Sequence, residues 1–129
     1  MIKEFVERFD AGRPALLEKY KAAHPDGYDE IVRDVVTVCA DGATYGVPST
    51  EHIHRIDDGS YQGTLVFVIG EGGYQPSDYW VAKVSYGSCS GCDTLQRIRD
   101  YGDEAPTEEQ AKDYVTLALH ILQSMKALQ

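Results

Sequence analysis

Positive charge is scarce in this chain of 129 residues: 12 Lys and Arg stand against 21 Asp and Glu, a formal net charge of -9. A field of that sign repels phosphate backbones and anionic lipid headgroups, and it draws basic proteins closer. Direct nucleic-acid binding and attachment to a membrane are therefore not expected, although the same charge also serves plain solubility. Cysteine is scarcer still. Three thiols, an odd number, do not supply the disulfide framework of a small secreted domain. No apolar run approaches the ~20 residues that cross a bilayer. Met1-Ile2-Lys3-Glu4-Phe5 lacks the basic stretch and apolar core of an export signal, so a cytoplasmic protein with reduced thiols is expected. A phosphate-binding loop is missing too. Gly70-Glu71-Gly72-Gly73 has no lysine and no strand-to-helix setting, and its glutamate opposes phosphate.

The apolar share of 43% and aromatic share of 10% are those of a folded protein, and the length fits one domain over 1–129. Ile2, Phe5, Val6 and Phe9 follow helical spacing, and Gly12-Arg13-Pro14 is read as an interruption before a second helical piece with Leu16, Leu17 and Tyr20. His24-Pro25-Asp26-Gly27 ends that piece. Ile31, Val32, Val35, Val36 and Cys39 then mark another helix. Beyond Asp41-Gly42 the period turns extended. His52 to Ile56 alternates, Asp57-Asp58-Gly59 makes a turn, and Thr64 to Ile69 is apolar throughout, as suits a central strand covered on both faces. Tyr79 to Tyr86 alternates as a third strand. Leu95 and Ile98 predict a short helix, and Thr107-Glu108-Glu109-Gln110 a capping box opening a final helix whose apolar face runs from Ala111 to Met125. The fold class expected is α+β: a small antiparallel sheet of about three strands flanked by N-terminal and C-terminal helices, with no crossover helices of the kind parallel strands need.

Tyr86-Gly87-Ser88-Cys89-Ser90-Gly91-Cys92-Asp93 raises the one chemical question. Three readings stand. A dithiol at a helix start has a lowered thiol pKa and suits redox exchange. A metal clamp of Cys89 and Cys92 with His52 and His54 offers zinc two sulfurs and two imidazoles. A tight strand-to-helix turn needs only small residues, with Ser90 or Asp93 capping the helix, and this last reading requires the least. Cys39, on an apolar helical face, is read as a buried spacer. No cofactor is expected outside the zinc alternative.

Tyrosine is abundant, nine in all. Tyr61-Gln62, Tyr74-Gln75 and Tyr79 cluster around loops, where rings with a polar tip suit recognition or close an open sheet face. Asp57 and Asp58 add acid at one turn. Asp103 and Glu104 belong to a second acidic stretch, from Asp100 to Asp113, relieved by a single base, Lys112. These nine residues, Asp57, Asp58, Tyr61, Gln62, Tyr74, Gln75, Tyr79, Asp103 and Glu104, form the expected binding surface.

Four stretches, Ile56 to Leu65, Tyr74-Gln75-Pro76, Tyr86 to Gln96 and Leu117 to His120, resemble a family of small uncharacterised proteins of bacteriophages and prophages. The likeness is carried chiefly by the cysteine turn and implies no activity. It implies an origin: a phage accessory protein in the bacterial cytoplasm. The function expected is non-enzymatic binding of a host or phage protein, with inhibition of a host defence or nucleic-acid-processing factor as one form. A metal or dithiol protein and a virion or packaging component are the alternatives.

Overall fold

A computed structural model describes residues 2–43, 46–59, 63–73, 76–87, 93–100 and 104–128. In chain order the elements are α1 (Ile2–Ala22), α2 (Tyr28–Ala40), β1 (Pro48–Asp57), β2 (Gly63–Glu71), β3 (Tyr79–Tyr86), α3 (Thr94–Arg99), α4 (Glu108–Ser124) and β4 (Lys126–Leu128). The strands form one antiparallel sheet in the order β1-β2-β3-β4. The fold is α+β, with four strands where about three were expected.

The first helix is unbroken, contrary to the interruption read at Gly12-Arg13-Pro14. Phe5, Phe9, Leu16 and Tyr20 are buried on one stripe, and Gly12 falls within it. A Cβ at Gly12 would stand 2.8 Å from Val38 Cγ1, so this glycine lets α1 approach α2 rather than ending a helix. Pro14 lies on the exposed side, where the Asp10 carbonyl it leaves without an N–H donor faces water.

The second helix buries the whole apolar row from Tyr28 to Cys39. The predicted capping box of α4 is formed: Thr107 Oγ1 accepts from the Gln110 amide at 3.1 Å, and Gln110 Oε1 from the Thr107 amide at 2.9 Å. Gln110 also donates to the Ile98 carbonyl, tying this cap to α3.

The last helix stops earlier than its apolar spacing suggests. Ser124 Oγ donates to the Ile121 carbonyl and accepts from the Lys83 amide at 3.1 Å, taking up an edge donor of β3. Met125 is buried in an extended conformation, and Lys126 to Leu128 then pair with Val81 to Tyr79.

Leu65, Phe67 and Ile69 of β2 with Trp80, Ala82 and Val84 of β3 are buried beneath α1, α2 and α4. The aliphatic and phenyl side chains larger than Ala82 each contribute about 1.5–3 kcal/mol by leaving water. Trp80 meets Phe5 edge to face at 5.8 Å. The alternate positions, Val66, Val68 and Val81, are only half-buried. The all-apolar run of β2 is thus central in pairing but covered by helices on one face, not both.

Only one edge of β1 is paired within the sheet. It begins at Pro48, carries a register irregularity before Ile53, and then reads His54, Arg55 and Asp57. Proline, a bulge and charge are the devices that keep an edge from pairing with a stranger.

Candidate functional site

Cys89 and Cys92 lie outside the described residues, while Gly87 and Asp93, on either side of them in sequence, are described. Asp93 is 6% exposed, and its carboxylate gathers three donors. Tyr28 Oη donates to Oδ1 at 2.8 Å, the Gln96 amide to Oδ1 at 3.1 Å, and the Gly87 amide to Oδ2 at 2.8 Å. The Tyr28 hydroxyl in turn accepts from the Leu95 amide at 3.1 Å, and Gln96 Nε2 donates to the Gly87 carbonyl at 2.9 Å. Asp93 therefore caps α3, as the sequence suggested, and it also ties that helix to α2 and to the end of β3. Burial, with the nearby Asp93 charge, holds the Tyr28 phenol well above the usual tyrosine range although the Leu95 amide opposes it. A hydroxyl held neutral beside a carboxylate is a fixed donor, and the cluster is a structural joint.

Beside this joint runs a groove of about 710 Å3 between the start of α2 and the ends of β1 and β3. Tyr86 Oη donates to Asp57 Oδ1 at 2.5 Å across its floor, and Arg55 reaches Asp29 at 3.5 Å on its rim. The bond to Asp57 pushes the Tyr86 phenol up to about 12, and the same bond with the Gly59 amide holds Asp57 below the usual carboxylate range. Asp58 accepts from the Thr64 amide at 2.6 Å. Both turn acids are thus engaged inside the turn that bears them. Glu71 plays the same part at the other end of the hairpin, accepting from the Gly46 amide and from Ser77.

His52 and His54 stand on the sheet face turned away from the helices, His54 in register with Val68. His52 Nε2 lies 2.9 Å from the Gly73 carbonyl, and Gly70 leaves room for its Cβ. Asp93 and Gly87, the described residues on either side of the two cysteines in sequence, sit toward the helix side at the Tyr86 end of β3. Among the described residues no group of three or more His, Cys, Asp or Glu side chains is placed to hold a metal ion. Cys39 is fully buried, and burial pushes its thiol up to about 12, as suits a spacer.

Of the expected binding surface, Tyr61, Gln62, Tyr74, Gln75 and Asp103 lie outside the described residues. The rest are not brought together. Asp57 and Asp58 are at one end of the β1-β2 hairpin, and Tyr79, opposite Gly70, is at the other. Glu104 is on the helical side, its carbonyl 2.9 Å from His24 Nε2. His24 Nδ1 meets Tyr114 Oη at 2.5 Å, and Tyr20 Oη donates to Asp34 at 2.7 Å. These polar groups serve helix packing.

A different surface is assembled instead. The uncovered sheet face sets His54, Val68, Val81 and Lys126 in one row, Ile56, Val66 and Lys83 in the next, and Gly70, Tyr79 and Leu128 in a third. Four large apolar side chains are exposed among the described residues, and three of them, Ile56 at 48%, Tyr79 at 40% and Leu128 at 49%, stand on this face. Tyr79 alone had been singled out from the sequence. A sequence signal for this face was the unbroken apolar run of β2, which sets Val66 and Val68 on the side opposite Leu65, Phe67 and Ile69. No protein-family model, curated protein or solved structure matches the chain.

Proposed function

We propose that this chain is a non-enzymatic accessory protein of phage origin that acts in the bacterial cytoplasm by binding a host or phage protein through the open face of its sheet. The observation that carries this reading is the concentration of exposed Ile56, Tyr79 and Leu128 around the half-buried Val66, Val68 and Val81. A continuous apolar surface left uncovered is the usual mark of an interaction site. The carboxylates of Asp57, Asp58, Glu71 and Asp93 are taken up by bonds that hold turns and a helix cap. The phage origin rests on the resemblance of the segments around the cysteine turn.

The test is affinity purification from a bacterial lysate with three forms of the protein. A partner retained by the native chain and by Glu104→Lys/Glu109→Lys, but lost with Ile56→Asp/Tyr79→Asp, is the expected outcome. Retention by the sheet variant, or no partner at any ionic strength, would overturn it.

A further inference from the structure

The open face has a charge opposite to that of the molecule. The strand positions that point away from the helices carry Lys83, Lys126 and His54 and no Asp or Glu, in a chain with 21 acids. Lys126 is directly opposite Val81, and Lys83 is two residues further along β3, so the two lysines are diagonal neighbours about 7–8 Å apart. Among the described residues neither makes an ion pair, as is also true of Lys3, Arg8, Arg33, Arg97 and Arg99, while Lys19, Lys21, Lys112, Arg13 and Arg55 lie against carboxylates. The face is therefore an apolar field, Ile56, Val66, Val68 and Tyr79, with two unengaged ammonium groups across it.

We infer that the segment docking on this face is an acidic one, a stretch of a partner protein that presents apolar side chains to the valines and carboxylates to Lys83 and Lys126. This rests on the proposed use of the open face and adds the sign of the partner. It reverses the expectation from net charge alone, which favoured a basic partner. A second copy of the chain is the wrong occupant for a symmetric face-to-face dimer, since stacking two such faces sets lysine against lysine. A nucleic acid meets the same two lysines but must enter the field of a molecule of charge -9.

The probe is a displayed library of short random peptides selected on the native protein, with enriched sequences synthesised and their binding sites read from amide shifts. Expected are peptides rich in Asp or Glu among apolar residues, shifting Val66, Val81 and Leu128. Their affinity should fall by about tenfold or more in Lys83→Glu/Lys126→Glu, since reversal turns two attractive exposed pairs into repulsive ones. Lys83→Gln/Lys126→Gln should fall between, and high salt should mimic it. Both are solvent-facing changes, and a native amide spectrum of each variant confirms its fold.

Peptides that bind this face but are neutral or basic, with affinity untouched by reversal, overturn the acidic partner and leave the open face as a binding site. Peptides that shift only the helices sink both. An oligothymidine that binds the face and is lost on reversal, or sedimentation showing a dimer abolished by Tyr79→Asp, replaces the acidic segment with another occupant.

Discussion

The two faces of one sheet follow opposite rules. Toward the helices every second residue of β2 and β3 is buried, and the polar groups admitted there, Asp93 and Tyr28, are bonded to named partners. Trp80 Nε1 is the one buried side-chain nitrogen or oxygen among the described residues without a hydrogen-bond partner. On the other face, Val66, Val68 and Val81, one step along the same strands, are only half-buried, and among the described residues Lys83 and Lys126 make no ion pair. The difference divides the sheet's work: the covered face forms the core with the helices, while the open face keeps its valines only half-buried and adds less to stability.

The contrast is sharpest along β2. Phe67→Ala, on the covered face, should cost about 3–5 kcal/mol in urea unfolding, while its neighbour Val68→Ala costs well under half of that. Equal losses would mean that something unseen covers the open face. Asp93→Ala should follow at about 2–4 kcal/mol, because it strands the Tyr28 hydroxyl and the Gly87 amide and removes the cap of α3. Amide exchange should then rise in α3 before it rises in β2. Thr107→Ala, which removes half of a capping box at the surface, should cost about 1 kcal/mol.

Alkaline titration separates the faces in another way. Cys39 has an ordinary pKa near 9 that is raised to about 12 by burial, so the unfolded chain gives up this proton first. Its contribution is intact below pH 9 and is lost as the pH rises toward 12, with buried Tyr20 and Tyr28 acting in the same direction. Cys39→Ala should flatten the stability profile over that window, and the native thiol should resist alkylation at neutral pH until the protein unfolds. The smallest effect belongs to Lys83→Gln, expected within ±0.5 kcal/mol of the native stability. A larger loss would mean that the lysine supports the fold and is not free for a partner.

Much of this architecture is legible in the residues. The rows Ile31 to Cys39 and Ala111 to Leu122 announce their helices, and the box at Thr107 and Gln110 and the cap at Asp93 form as read. Three features were hidden, each for a tertiary reason. Gly12 and Pro14 look like a break, yet one is a contact point with Val38 and the other faces solvent. Lys126 to Leu128 continues no strand pattern, and what ends α4 is the bond between Ser124 and the Lys83 amide. The role of Tyr28 needs α2, β3 and α3 together, so no local spacing reveals it. The candidate site was less legible still. Loop tyrosines and acids drew the eye, but the surface with exposed apolar groups lies on the strands, and its charge appears only when register aligns Val81 with Lys126.

The guarded rim of β1 has its own consequence. Pro48, the irregular stretch before Ile53 and the alternating charges beyond it deny a newcomer the ladder of amides and carbonyls it would need to extend the layer sideways. A partner of the kind proposed would meet the flat side of the sheet, where side chains and not backbone decide the fit. At this rim, sideways growth of the layer is opposed by the backbone itself.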